Sequence, residues 1–319
     1  MNDAGRQWPL YCMALLCACM PGLAAAQAGA AAPEPAARVL VAAGAVTDTG
    51  ADGRSRALAD GDTVYAGDTV GTAAGGYASL DFEDGGELIL RPSTQLQIRQ
   101  YHFDAASHDP PAAGSAPSAP APDAPPAGYE SAVFSLAKGG LRAVSGLIGH
   151  LQHDDYALQT PTATLGIRGT AYDLRYCQDD CTDEAEQGVA PDNGLYASVS
   201  QGAIALRNDA GESLTGAGQS AHVRARGVLA RRLAGLPAAL RHMDLPEALR
   251  ARAAAMRQRI HAERALRQQR RMQRRAARQA ADGDAPATAD HPLARRLEQA
   301  RERRAEAQAP PPEPAGPQN

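Results

Sequence analysis

The residues with the most pointed chemistry lie between Thr160 and Cys181, in the run TPTATLGIRGTAYDLRYCQDDC. Arg168, followed by Gly169 and Thr170, offers a planar fork of donors suited to a carboxylate or a phosphate. Cys177 and Cys181, four residues apart, can close a disulfide or supply thiolates to a metal. The redox compartment weighs between these, and the N-terminus speaks to it. Arg6 precedes the apolar run PLYCMALLCACM, the breakers Pro21 and Gly22, and then LAAAQA. This predicts a secretory signal peptide over residues 1–26, cut after Ala26, with an apolar run too short to span a bilayer. A second reading takes Leu16 to Cys19 as a lipoprotein box with Cys19 lipidated. Cys12, Cys17 and Cys19 fall in the leader, so Cys177 and Cys181 are expected to pair in a periplasmic or secreted protein. So short a ring contributes about 2 kcal/mol, enough to pin the loop CQDDC rather than to hold a fold. A metal site built from the thiols with Asp179, Asp180 or Asp183 lacks a His partner nearby.

Other donor clusters are weaker. His150, His153, Asp154 and Asp155 have metal-type side chains, but on an irregular turn they read first as a polar loop. The acidic run from Asp179 to Glu186 lacks the alternating Asp and the Gly of a calcium-binding loop, so solvated acid is the simpler reading. No Gly-x-Ser-x-Gly elbow is present, and Lys138, the chain's single Lys, does not close a phosphate loop. GIRGT is too short for a dinucleotide fingerprint, and no free thiol of the mature chain stands with a His. The expectation is a non-enzyme with no catalytic residues, no cofactor and no metal.

The elements that position these groups are read from periodicity. Ala163, Leu165 and Ile167 alternate with small or polar residues, the two-residue period of a strand with one buried face. After Gly169 the phase reverses, and Tyr172, Leu174 and Tyr176 take the apolar places. One extra residue near Arg168, Gly169 and Thr170 does this, as in a β-bulge with Gly supplying the unusual backbone. Upstream, GDTVYAGDTV repeats Gly-Asp-Thr-Val with Val64 and Val70 as apolar anchors. Glu83-Asp84-Gly85-Gly86 marks a hairpin before ELILRPSTQLQIRQY. Strand-like segments continue through SAVFSLAKGGLRAV, LYASVSQGAIALRN and ESLTGAGQSAHVRA. The pattern predicts an all-β domain of short strands over 38–226, as a sandwich, roll or solenoid-like arrangement. It follows a disordered stretch at 27–37 and is interrupted by a Pro/Ala-rich insertion at 105–128 that cannot build a core.

Beyond it the period becomes helical. A basic α-helical Arg/Ala-rich extension is expected over 227–280, a short helix over 281–307 and a disordered tail over 308–319. Asp244-Leu245-Pro246-Glu247 has the form of a helix start, with Asp244 as N-cap. Leu249, Ala253, Met256 and Ile260 follow as an apolar stripe, after which Arg, Gln and Ala occupy nearly every face. The formal charge of -4 hides an asymmetry: His222 to Gln279 holds sixteen Arg against three acids. Such a helix is either a solvated surface element, a polyanion or partner contact, or a basic strip folding back on its own acidic domain. Anionic lipid, lipopolysaccharide phosphate and acidic protein are its expected partners, with peripheral membrane contact; export argues against nucleic acid.

These motifs together resemble the FecR domain family. The resemblance rests on GDTVYAGDTV with Thr72 after it, LDFEDGGELIL, KGGLRAVSG, TPTATLGIRGTAYDL and TGAGQSAHV. It spans roughly Val39 to Val223, interrupted by the Pro/Ala insertion. It implies an extracytoplasmic β-rich domain without known catalytic residues. In membrane-bound members such a domain sits in the periplasm and relays the state of a TonB-dependent receptor to an anti-sigma region. This sequence shows neither a cytoplasmic helical region nor an internal membrane helix, so it resembles the free-standing exported members. Arg168 is read first as held inside the domain by Asp81, Asp84 or Asp173 to keep the bulge shut; the other role is a ligand or partner contact surface that combines Arg168, Gly169 and Thr170 with Asp84 and Gly85.

Overall fold

Gly-Asp turns and alternating apolar residues set the strands of the N-terminal half. A computed structural model of the chain describes residues 33–105, 130–184, 188–283 and Arg303. The leader at 1–26, residues 106–128 of the Pro/Ala insertion, most of the 281–307 helix and the tail at 308–319 lie outside the described residues. The first strands are β1 (Pro35–Ala43), β2 (Val46–Thr49), β3 (Ser55–Ala57), β4 (Thr63–Tyr65), β5 (Thr69–Thr72), β6 (Tyr77–Phe82), β7 (Glu87–Leu90) and β8 (Gln95–His102). Then come β9 (Ser131–Val144), the short helix α1 (Leu147–Leu151), β10 (Tyr156–Gln159), β11 (Thr164–Cys177) and β12 (Gly194–Asn208). The series closes with β13 (Gly211–Gly216), β14 (Ser220–Val223), β15 (Arg231–Leu233) and the long helix α2 (Glu247–Gly283).

Gly61 and Gly67 adopt φ of 88° and 94°, a backbone that only glycine takes without strain. Each is followed by an Asp whose carboxylate caps the turn: Asp62 accepts from Ala59 N at 2.9 Å and Asp68 from Tyr65 N at 2.8 Å. The turns deliver Val64 and Val70 into the core.

The strands form one mixed hydrogen-bonded sheet rather than two separate ones. Its path runs β15-β14-β12-β11-β10-β9-β7-β6-β1-β4. The pairing of β9 with β10 is parallel and the other described pairings are antiparallel. Val39 and Val64 at one end of this path share a hydrophobic cluster with Leu195 and Val223 at the other, so the sheet curls around a single core. Of the expected arrangements this is a roll.

The longest strands depart from the expectation of uniformly short ones. β9, β11 and β12 run 14, 14 and 15 residues because bulges let each change partners without ending. β9 pairs β8 and β10 along its first half, then β7 and β11 along its second. The change falls at Gly139, whose φ is 84°. At its start β9 takes up its pairing with β8 at Ser131 opposite His102, so the chain re-enters the sheet where it left.

Two boundaries are corrected. β1 begins at Pro35, so the last residues of the stretch expected to be disordered at 27–37 are paired in the sheet. The segment expected to be helical from 227 instead contains β15 and a 3₁₀ turn at Ala238–Leu240, and α2 starts only at Glu247. Leu240 and Met243 of that segment cover the outer faces of Cys177, Cys181 and Tyr196, so burial of a sheet face overrides the Arg/Ala helix propensity there. Asp244 accepts from Arg142 Nη1 at 2.8 Å, an ion pair that takes the place of its expected role as N-cap.

The helix extension does fold back. Leu249, Ala253, Met256 and Ile260 lie against Leu40 and Val41 of β1, with Tyr77 and Ile89 alongside. Arg252 Nη2 reaches Asp60 at 2.7 Å, Arg257 Nη2 reaches Glu87 at 2.6 Å, and Arg264 Nη1 reaches Asp81 at 3.3 Å. Leu40 is 0% exposed under this cover. β1 therefore buries both faces, Val39 in the roll and Leu40 beneath the helix. Among the described residues no helix is long and apolar enough to cross a membrane.

Candidate binding site

The Arg-Gly-Thr run sits at a paired irregularity. Along β11 and β12, Arg168 lies opposite Ala203, Ala171 opposite Gln201 and Tyr172 opposite Val199. β11 thus carries one extra residue at Gly169–Thr170 and β12 carries the compensating one at Ser200. Ile167 points into the core before the bulge, and Thr170 and Tyr172 point in after it, which is the phase reversal visible in the sequence. Gly169 has φ of 55°, and a Cβ there would stand 2.6 Å from His150 Nδ1.

Thr170 locks the bulge. Its hydroxyl donates to Ala203 O at 3.0 Å and accepts from Arg168 N at 3.1 Å. Its own N–H donates to Ser145 Oγ at 2.9 Å, and Ser145 N donates to Thr170 O at 3.0 Å. Ser145 leads into α1, which is held at its start by Asp84. That carboxylate accepts from Gly86 N at 3.1 Å, Ile148 N at 3.3 Å and the Tyr101 hydroxyl at 3.2 Å. Burial raises the Asp84 pKa above the ordinary carboxylate value, and these three donors pull it back.

The expectation of one surface combining Arg168, Gly169, Thr170, Asp84 and Gly85 is corrected by this geometry. Asp84 and Thr170 are interior struts, while Gly85 at the hairpin tip and Arg168 are exposed. The expected internal pairing of Arg168 is corrected as well. Arg168 precedes the inserted residue, so it keeps the original phase and points outward. Its guanidinium makes no hydrogen bond or ion pair among the described residues. The three acids considered for it are engaged elsewhere: Asp81 with Arg257 and Arg264, Asp84 as above, and Asp173 with Arg142 at 3.8 Å.

Arg168 stands over a groove of about 460 Å³ on the outer face of β10 to β13. Gly166 lies directly opposite Ala205, and Arg168 opposite Ala203, so the floor is made of small residues. His153 and Asp154 form one wall, and Leu214, 63% exposed, stands on the other. The Arg207–Glu212 pair, at 2.6 Å, closes an end. A small-residue floor with raised sides and an outward guanidinium accommodates an extended polar segment carrying an anionic group. No three of the described His, Cys, Asp and Glu side chains come together as a metal-binding group.

Cys177 and Cys181 are joined in a disulfide. Beneath its loop lies Arg175, 4% exposed, which the alternation alone would place on a solvent face. Arg175 Nε donates to Cys181 Sγ at 3.2 Å, its Nη2 to Asp180 O at 3.3 Å, and Glu184 is 3.6 Å away. The signal missed was the outward Asp173-x-Arg175 pair in the strand end that leads to Cys177, capped by a segment more than sixty residues downstream.

Asp173, on the same outward face, has a pH consequence. Burial pushes its carboxyl up to about 6, Arg142 holds it back, and Asp244 adds to the rise. An unfolded Asp titrates near 3.8. Between these values the native state keeps a proton that the unfolded chain releases, so stability falls as pH rises from about 4 to 6. The contribution is on the order of 2 to 3 kcal/mol. Asp48, also pushed up to about 6 chiefly by burial, acts in the same direction. Urea denaturation at pH 4 and pH 7 is expected to show a smaller difference for Asp173→Asn than for the parent chain; an equal difference would exclude this contribution.

Fold and groove define an all-β domain with a docked helical extension and an outward, Arg-marked groove. No family profile matches the chain, and no curated relative is similar to it at a significant level. Among solved structures, crystal structures at 1.65 and 2.50 Å of a candidate anti-sigma factor from Parabacteroides distasonis are similar at 9% identity with a TM-score of 0.35. The similarity covers 52% of this chain and 59% of that one. A cell surface anchoring domain is similar over 19% of this chain and 82% of its own length, at 26% identity and a TM-score of 0.19. At these scores neither carries an argument about activity.

Proposed function

We propose that this chain is a non-enzymatic, exported FecR-type domain that captures a protein or cell-envelope ligand in the groove over β10 to β13, with a part in surface signalling. The observation that carries the reading is Arg168, kept outward by the strand alternation before the bulge, without an internal partner among the described residues, above a floor of small residues. The motifs quoted from GDTVYAGDTV to TGAGQSAHV support the family. The disulfide and the absence of a membrane-crossing helix among the described residues are compatible with an exported protein.

Two variants test it. Arg168→Ala removes the anion contact, and Gly166→Leu fills the floor at a position where an added Cβ meets nothing within 4 Å. Because both sites face outward, stability should stay within about 0.5 kcal/mol of the parent. Capture of an envelope-fraction partner by the mature chain should be lost in both. Undiminished capture by the two variants would remove the groove from the function.

A further inference from the structure

α2 presents one face in two chemistries. At about 100° per residue, Leu249, Ala253, Met256 and Ile260 fall within roughly 60° of one another, and this is the side that lies on β1. Continued past Ile260, the same direction is occupied by Arg264, Arg267, Arg271 and Arg275. With Arg270 and Arg274 included, the six Arg span about 140° of the helix. The opposite side carries Ala265, Gln269, Gln273 and Ala276. Arg, Gln and Ala do occupy nearly every face here, with Arg gathered on one side.

The switch from apolar to Arg comes where the helix passes the edge of the sheet. There α2 overhangs the tip of the β6–β7 hairpin and the end of β8, leaving a recess of about 350 Å³. Arg264, Arg267, Arg271 and Arg275 line it together with Glu83, and Gln268 and Met272 of the same helix complete the wall. Four guanidiniums thus face a single lining carboxylate, Glu83. Arg264 is engaged by Asp81 at 3.3 Å and Arg267 by Glu263 at 3.8 Å. Arg271 and Arg275 have no ion pair among the described residues. One helix turn separates them, so their forks can close on one anionic group together.

We propose that this recess binds a compact anion carrying two or more phosphates. Phosphate suits it better than isolated carboxylates, because each group brings up to two charges and three acceptor oxygens to forks that are all Arg. The docked half of α2 fixes the row from one side, so the cations are preorganised by the β domain rather than gathered by the ligand. The site is separate from the groove at Arg168 and does not depend on it.

The test uses the full mature chain and three probes: inorganic tripolyphosphate, phosphatidylcholine vesicles doped with a bisphosphorylated lipid, and polyglutamate. Arg271→Gln with Arg275→Gln should weaken binding of the phosphate probes by about tenfold or more. Arg270→Gln with Arg274→Gln removes the same charge outside the recess and should change it much less. Arg168→Ala should leave it unaltered. Tripolyphosphate binding without vesicle binding assigns a free anion, and vesicle binding assigns a lipid headgroup; either supports the site. Failure of the parent to bind any phosphate probe, equal losses in the two double variants, or polyglutamate binding as tight as tripolyphosphate would each overturn it.

Discussion

Gly202→Ala is expected to destabilise the domain by about 3 kcal/mol or more, enough to consume much of the stability of an ordinary domain. Gly202 faces the Gly169–Thr170 bulge across the β11–β12 pair and holds φ of 76°. A Cβ there would overlap the carbonyl oxygen of Gly169 and stand 2.7 Å from that of Arg168. Both obstacles are backbone, so no rotamer change relieves them, and the left-handed conformation adds about 1 kcal/mol of its own. Moving the two strands apart would break the Thr170 hydroxyl contact to Ala203 O. Gly166→Ala is the internal comparison, because it lies four residues from Thr170 on the same strand with open space at its Cβ. Chemical denaturation of both variants measures the difference. A Gly202→Ala protein as stable as Gly166→Ala would contradict the bulge geometry.

Ile260→Asp is expected to release α2 from the sheet. Ile260 is 4% exposed against Leu40 and Val41, and an aspartate there would lose its water without gaining a partner on an apolar strand face. Loss of the apolar contact alone is worth about 2 to 4 kcal/mol, and the charge adds to it. Arg257→Ala removes the 2.6 Å pair to Glu87, but that guanidinium is 38% exposed, so its effect should be about 0.5 to 1 kcal/mol. The apolar stripe therefore holds the helix, and the ion pairs set its position along the sheet. Hydrogen exchange should show α2 amides unprotected in Ile260→Asp while the strands of the roll remain protected. The uncovered face of β1 should also promote self-association in size-exclusion chromatography. Retained protection in α2 would mean that the Arg contacts, not the stripe, carry the docking.

Much of the roll was legible because its signals are local. The Gly-Asp turns at Gly61 and Gly67, the inward Val64 and Val70, the phase reversal at Gly169 and the Cys177–Cys181 pairing all follow from neighbours in the chain. The stripe from Leu249 to Ile260 was equally local, and its period identified the docking side. What escaped depends on distant partners. Leu240 and Met243 look like stray apolar residues among Arg, Gly and Pro until the outer faces of β11 and β12 are set beneath them. Arg175 reads as solvated for the same reason. The groove combines outward residues of four strands, so no single stretch announces it. The direction of Arg168 was available from alternation, since it falls before the extra residue. The Arg row, too, was present in the sequence once the angle of the apolar stripe is carried forward.

His102 and Ser131 face each other at the junction of β8 and β9, so everything between them departs from and rejoins one address on the roll. Loop closure depends only weakly on length, and the frame on either side is completed by pairs that do not involve the intervening residues. This cassette can consequently be lengthened or shortened while the strand pairs that frame it stay as they are.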